Sequence, residues 1–249
     1  MNLLELRQQF IQISGRYDLV LDTTTWTDNG ANFYINAGQL YLDQKGETKR
    51  GEAVYYKKLV AGNVGCNFPD CRAIREVWFQ DQTEGVRVKL AKKSKVEIMD
   101  LYKDYYGQQV PAAQETYGPL YYYLPTLRVY PDNLTIAGIE SYIGFMDSLP
   151  SSGSTIYNGL IVMPASNHEI VLEIYGLFQS PKFIADTDET FWSTQYPTVL
   201  LWAALRELEI TYRNTEGAKD WEVAILGRLM DIDMDNVEEI VADVNQMEG

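Results

Sequence analysis

The chain contains one histidine, two cysteines and no purely apolar run longer than the seven residues Val199 to Leu205. That run is far short of the roughly 20 apolar residues a membrane-spanning helix requires. The N-terminal MNLLELRQQFIQ carries Glu5 and Arg7 where a secretion signal needs an unbroken apolar core. These two absences lead to the expectation of a soluble protein assembled in the cytosol. Cys66 and Cys71 sit in CNFPDC with no second cysteine pair or nearby histidine to complete a zinc site. Two thiols, buried or free, are therefore expected, although the spacing also permits a tight disulfide. The lone His168 lies in PASNHE, which reads as a surface turn between strands. It has no serine or cysteine nucleophile motif beside it. The chain also lacks G-x-S-x-G, a P-loop, G-x-G-x-x-G and H-E-x-x-H. The expectation is a protein with no catalytic residue, no bound cofactor and no metal.

What is abundant is tyrosine, with 18 copies among 249 residues. Tyrosine combines a large rigid apolar face with one polar tip, which suits strands and contact surfaces. Acidic residues outnumber basic ones and the net charge is -14. The imbalance is uneven: segment 45–103 is net +5, whereas segment 186–249 is net -11. A protein that grips nucleic acid phosphates needs a basic face, and this balance argues against one. The lysine cluster KLAKKSK (89–95) ends an amphipathic strand and reads as protection of a sheet edge. A phosphate contact is the other reading of that cluster.

Periodicity divides the chain. Asn2 and Glu5 form a capping box, Leu3, Leu6, Phe10 and Ile13 recur at helical spacing, and Gly15 stops the helix. A second helix is expected from Asp28 to Gln44, with Tyr34, Ala37 and Leu40 (or Tyr41) as its apolar face. Gly30 and Gly38 weaken it. From Gly51 the pattern turns to short runs rich in valine, isoleucine and tyrosine: AVYYKKLVAGN, RAIREVWFQD, GVRVKLAKK, PLYYYLPTLRVYP and EIVLEIYGLF. In the last, Ile170, Leu172 and Ile174 share one face and Glu169 and Glu173 the other. DQTEG, VYPDN, PSSGS and PASN separate the runs, which suggests an antiparallel sandwich. A helix over Lys95 to Tyr106 is expected on its edge, with Val96, Met99 and Tyr102 (or Lys103) at helical spacing.

Helix returns at Pro197, which suits a first helical turn. Leu201, Ala204, Leu205, Leu208 and Tyr212 form its stripe, and Asn214-Thr215 breaks it and caps the next helix. That next helix aligns Trp221, Ile225 and Leu229. Leu201, Leu205, Leu208, Trp221, Ile225 and Leu229 are the expected core of a helical domain, in which a short loop sets two helices antiparallel. A third helix is expected at Asp235 through a D-x-x-E box to Glu238, followed by Val237, Ile240, Val241 and Val244. DIDMDN places Asp231, Asp233 and Asp235 like the first calcium ligands of a helix–loop–helix site. Asn236 stands where that loop needs glycine, and Ala242 where it needs glutamate. The aspartates read instead as the start of that third helix. The resulting expectation is an α+β fold with domains at 1–50 plus 180–249 (helical) and 51–179 (inserted, β-rich).

Three stretches, FYINAGQLYLD (33–43), EIYGLFQSPKFIADTDETFW (173–192) and YPTVLLWAALRELEITYRNTEGAKDWEVAILGRL (196–229), occur in an order that resembles the head-to-tail adaptor (connector) proteins of tailed bacteriophages. The likeness is to the podovirus type related to the tail tubular protein A group. The matching positions of that family's N-x-E-x-A-x-x-W-E pattern are Asn214, Glu216, Ala218, Trp221 and Glu222. The likeness covers both ends of the chain well and the middle poorly. It implies a structural virion protein, assembled in the host cytoplasm, with a helical bundle from both termini and an inserted β-sandwich. It also implies a ring, typically of twelve subunits, joining the portal protein to the tail nozzle or tube. DNA would pass through its channel without specific binding. By position, residues Asp235 to Gly249, with Asp235, Val237, Ile240, Val241 and Val244, would be the portal-docking segment. Two alternatives stand beside it: another phage neck or baseplate component, and a carbohydrate-binding or carbohydrate-cleaving β-sandwich.

Overall fold

The computed structural model describes residues 1–46, 52–81, 85–102, 118–125, 127–128, 145–146, 155–156 and 159–245. Its helices are α1 (Leu3–Ser14), α2 (Ala31–Lys45), α3 (Lys95–Leu101), α4 (Phe191–Gln195), α5 (Pro197–Thr211) and α6 (Thr215–Asn245), with a short 3-10 turn at Tyr17–Leu19. Its strands are β1 (Glu52–Leu59), β2 (Asn63–Asn67), β3 (Cys71–Asp81), β4 (Val86–Lys89), β5 (Ala91–Lys92), β6 (Tyr121–Tyr123), β7 (Leu127–Arg128), β8 (Phe145–Met146), β9 (Thr155–Ile156), β10 (Gly159–Met163) and β11 (Ile170–Phe178). The fold is α+β. The chain separates into two compact units, Met1–Gly51 with Gln179–Gly249, and Glu52–Phe178. No helix among the described residues is long and apolar enough to cross a membrane.

In the first unit, Asn2 and Glu5 cap α1 reciprocally and Gly15 closes it in the left-handed region at φ 69°. The inward residues are Leu3, Leu6, Arg7, Phe10 and Ile11. Ile13, expected inside, is exposed, because Arg7 and Ile11 rather than Ile13 complete the inward face. Helix α2 begins later than expected. Asp28 Oδ1 accepts the N–H groups of Gly30 and Asn32, and Gly30 turns the chain at φ 115°. Of the two alternatives for its inner face, Tyr41 is buried and Leu40 points outward. Gly38 explains itself by contact: a Cβ there would lie 2.5 Å from the backbone N of Ala204. Its lack of a side chain lets α2 and α5 approach backbone to backbone.

Helix α5 opens on Pro197 and buries Val199, Leu200, Leu201, Ala203, Ala204, Leu205 and Leu208. Tyr212, expected on that stripe, lies outside the helix and the core. The Arg16 guanidinium sits 4.3 Å from its ring centre. Arg213, in the left-handed region at φ 60°, reverses the chain, and Asn214 Oδ1 accepts the Gly217 N–H in the first turn of α6. The expected break at DIDMDN does not occur, since α6 runs unbroken for 31 residues. Residues 228–245 contain neither glycine nor proline. Ile232 is buried in the same cluster as Ile225 and Leu229, so the inward stripe crosses the supposed break at steps of four and three.

In the second unit, one four-stranded sheet has the order β1-β11-β3-β4 and is antiparallel throughout. The second, ordered β5-β6-β10-β2-β8, is mixed, because β2–β8 and β5–β6 pair in parallel. The expectation of purely antiparallel strands fails there. The physical reason is the connection: β5 reaches β6 by a long crossover that includes α3, and parallel neighbours require such a crossover. One apolar cluster draws on both sheets, joining Leu59, Val77, Phe79, Leu172 and Ile174 to Cys66, Tyr122, Leu160 and Val162. A second cluster lies on the other face of the mixed sheet, where Ile161, Met163, Val64 and Tyr123 meet Ile98 of α3.

Strand β10 had no alternating pattern to reveal it. It lies between β6 and β2 with every residue buried, and strands covered on both faces read as continuous apolar runs. Helix α3 is capped by Ser94 and Glu97 and buries Ile98, whereas Val96 and Met99, expected inward, are exposed. The rest of that expected helix, 103–106, lies outside the described residues. Ile170, Leu172 and Ile174 share the buried face of β11. Glu173, on the opposite face, is also buried, because Arg87 covers it. Arg87 Nη2 lies 2.7 Å from Glu173 Oε2, and its guanidinium stacks 4.4 Å over the Trp78 ring. Cys66 and Cys71 stand as thiols. The KLAKKSK lysines flank the outermost described strands, β4 and β5. Lys89 pairs with Glu76 and Lys93 with Glu97.

Candidate interaction surface

Two carboxylates of the second unit, Glu76 and Glu173, are engaged in ion pairs. Glu76 is held below the usual carboxylate range by Lys89 and the Trp78 indole N–H. Glu173 is held down by Arg87. His168 is half-buried in the turn between β10 and β11, where its backbone N–H donates to Ser166 Oγ at 3.1 Å. Among the described residues no group of three or more His, Cys, Asp or Glu side chains is placed to hold a metal ion. Asp231 and Asp233 stand two apart on α6, and residues two apart on a helix do not face each other. Asp231 pairs with Arg228 at 3.2 Å.

The surface that stands out belongs to α6. Its inner face places Ile225, Leu229 and Ile232 in the helical core with Leu201, Leu205 and Leu208 of α5, and Ala218 is buried as well. Trp221 is half-buried against Trp202, with ring centres 6.4 Å apart. A polar clamp fixes α6 further. Tyr41 Oη donates to Glu222 Oε1 at 3.1 Å, and Arg206 Nη2 lies 3.7 Å from Glu222 Oε2. Arg206 also stacks 4.0 Å over the Tyr41 ring. Burial raises the Tyr41 hydroxyl to about 12, so Tyr41 stays a neutral donor.

Across the helix from this face lies a second apolar stripe. Val223, Leu226, Met230 and Met234 are 72%, 41%, 69% and 67% exposed. At about 100° per residue they fall within an arc of about 80°. Asp220 and Asp231 border the stripe on one side and Asp233 on the other. Helix α6 carries nine acidic and two basic residues. It spans 31 residues against 15 for α5, about 46 Å against about 22 Å, and so it outruns its neighbour. The steps of three and four were legible in the sequence, but dividing the helix at DIDMDN hid them. Asp235, Val237, Ile240, Val241 and Val244 all lie on the α6 backbone. Asp235 is therefore an interior helix position, not a cap. By spacing alone Val237, Val241 and Val244 continue the stripe, and the side chains beyond Met234 lie outside the described residues.

The segment before α4 is strapped to α2 by three polar residues that sequence reasoning did not single out. Asn36 exchanges hydrogen bonds with the backbone of Phe183, through its Nδ2 and Oδ1. Gln39 Nε2 donates to the Pro181 carbonyl and its Oε1 accepts from the Thr190 hydroxyl. Asp43 accepts the Ser180 N–H and hydroxyl and the Trp192 indole N–H, the last at 2.7 Å. Their spacing of three and four, polar on a helix flank, was the available signal. The buried Arg7 completes the strap, donating to Asn32 Oδ1, the Trp26 carbonyl and Asp186 Oδ1.

Burial holds Asp43 above its ordinary value of 3.8, although its three donors pull the other way. Between those two values the folded chain keeps a proton that the unfolded chain has lost. Asp43 therefore adds stability as the pH falls through the window, and loses it as the pH rises through the folded value. Urea midpoints of wild type and Asp43→Asn at about pH 7 and about pH 4 should show the wild type gaining on the variant in acid. A pH-independent difference would contradict this assignment. No known protein family matches the chain, and no curated protein sequence matches it.

Proposed function

We propose that this chain is a non-enzymatic structural protein of a phage neck, forming a ring, of twelve copies by family likeness, that joins a portal protein to a tail nozzle or tube. In this reading the helical unit is a bundle and the second unit a β-sandwich insertion. The ring surrounds a channel through which DNA slides without being bound, and its place is the virion. A net charge of -14 is consistent with a channel that does not hold phosphates. The observation that carries the reading is α6, a helix that outruns α5 and presents an unpartnered apolar stripe bordered by acids. Such a helix fits a partner groove with an apolar floor and a basic rim, and the distal part, from Asp235, is the segment that would meet the portal.

The test is to delete residues 235–249, which spares the core residue Ile232, and to measure binding to portal protein by mass photometry. Loss of ring assembly on the portal is the expected result, with the melting temperature nearly unchanged. Undiminished binding would remove the distal helix from the interface. A wild-type chain that never assembles on portal would overturn the reading itself.

A further inference from the structure

The antiparallel sheet of the second unit turns one face to the core cluster and the other away from it. The outward side carries Tyr56 of β1, Glu173 and Tyr175 of β11, and Glu76 and Trp78 of β3, since residues paired across strands share a face. The register shifts where Tyr175 faces Glu76 and Gly176 faces Ile74, so β3 holds one extra residue there, Arg75. Such a bulge re-aims a side chain, and here Arg75 and Glu76 both border one cleft. A Cβ on Gly176 would lie 2.6 Å from the Ala73 carbonyl oxygen, so glycine is what admits the bulge. The cleft has a volume of about 430 Å³. It is lined by residues 52–54 of β1, Arg75 and Glu76 of β3, and Tyr175 and Gly176 of β11.

Side chains beyond the cleft hold its walls in place. Arg87 Nη2 donates to the Tyr175 hydroxyl at 3.1 Å, and that hydroxyl donates to Glu173 Oε2 at 3.3 Å. The Trp78 indole N–H donates to Glu76 Oε2 at 2.9 Å, while Lys89 pairs with the other oxygen. The Tyr175 ring and the Glu76 carboxylate are therefore pre-set, which lowers the cost of ordering them on a ligand. The charged residues of the lining are Glu52, Arg75 and Glu76. Arg75 pairs with Glu52 and Lys89 with Glu76, so the cleft is charge-balanced on a chain of net charge -14.

We propose that this cleft binds an uncharged saccharide, a short stretch of a glycan chain seated on Tyr175 and reaching Tyr56. Tyr56 is 61% exposed and lies diagonally across the strand pair from Tyr175, close enough for one ligand to span both. The C–H groups on the face of a pyranose carry partial positive charge, which the negative face of an aromatic ring attracts. Sugar hydroxyls both donate and accept, so they satisfy Arg75 and the two carboxylates at once. Arg75 and Glu52, 56% and 42% exposed, offer N–H groups and lone pairs beyond the contact between them. An anionic ligand would meet Glu52 and Glu76, and a cationic one Arg75 and Lys89. A wholly apolar ligand would bury these ion pairs without hydrogen-bond partners. A peptide strand would instead be read through the backbone of an edge strand such as β1, without these side chains. The inference goes beyond the ring reading and does not depend on it.

The experiment titrates full-length chain calorimetrically with neutral hexasaccharides of glucose, mannose, xylose and N-acetylglucosamine. A galacturonate hexamer serves as the charged counterpart and an uncharged serine–threonine peptide as the extended-strand counterpart. At least one neutral hexamer should bind with a Kd below about 1 mM, and raising the salt from about 50 mM to about 500 mM should not weaken it. Tyr175→Ala and Arg75→Ala should each weaken that binding at least tenfold. Tyr175→Phe keeps the ring and should retain most of the affinity. Should Tyr175→Ala lose its wild-type melting transition, Arg75→Ala and Tyr56→Ala, at exposed positions, decide the matter. The proposal is overturned if no neutral hexamer binds, or if the folded variants bind like wild type. Tighter binding of the galacturonate hexamer, or of the peptide, would equally overturn it.

Discussion

Replacing Trp192 with alanine is expected to cost the helical unit about 5 kcal/mol, at the upper end for a buried tryptophan. Trp192 is among the largest fully buried side chains in the protein. It packs edge-on against Phe191, with ring centres 5.2 Å apart, and against Tyr196 at 6.3 Å. The truncation leaves a void, and it also removes the indole N–H from Asp43. That carboxylate already resists ionising because it is buried, and losing a donor raises its cost further. Trp192→Phe keeps most of the volume and loses the hydrogen bond, so about 2 kcal/mol is expected. Urea denaturation of the three proteins gives the comparison. A loss below about 2 kcal/mol for the alanine variant would mean that the site collapses around the missing ring.

Gly38→Ala is expected to destabilise by about 3 kcal/mol, the opposite sign to a usual glycine-to-alanine change within a helix. Helix propensity alone would favour alanine by about 1 kcal/mol. The packing overrides it, because the new Cβ meets the Ala204 N at 2.5 Å, the Ala203 carbonyl carbon at 2.8 Å and the Ala204 Cα at 2.9 Å. Backbone atoms cannot rotate away, so the α2–α5 crossing itself would have to open. Trimming the neighbour with Ala204→Gly should not rescue the variant, since the obstructing atoms remain. Gly227→Ala on α6 is the control: nothing lies within 4 Å of its added Cβ, so a gain of about 1 kcal/mol is expected there. Equal effects at the two positions in thermal or urea melts would refute the close crossing.

These two sites mark where reading residues in order stops being informative. Gly38 looked like a flaw in a helix because its reason, the backbone of Ala203 and Ala204, lies more than 160 residues away. Trp192 and Asp43 carry no local sign that they will meet. DIDMDN misleads for a different reason. Its aspartates favour a helix start in isolation, but Ile232 had already committed the helix to continue along α5.

The sequence by itself determined the parts whose causes lie within a few residues. The Asn2–Glu5 box, the stop at Gly15, the Pro197 start and the cap at Asn214 are local hydrogen-bond and dihedral requirements. The alternation of Ile170, Leu172 and Ile174 is set by the two-residue repeat of a strand. It also determined the chemical character of the chain: acidic, rich in tyrosine and without a recognisable catalytic motif. Only the tertiary structure decided that Ile98 rather than Val96 turns inward, that Glu173 is buried beneath Arg87, and that β5 and β6 run parallel. It also decided which apolar stripe remains uncovered on α6. Burial depends on what arrives from elsewhere in the chain, and local periodicity carries no record of that partner.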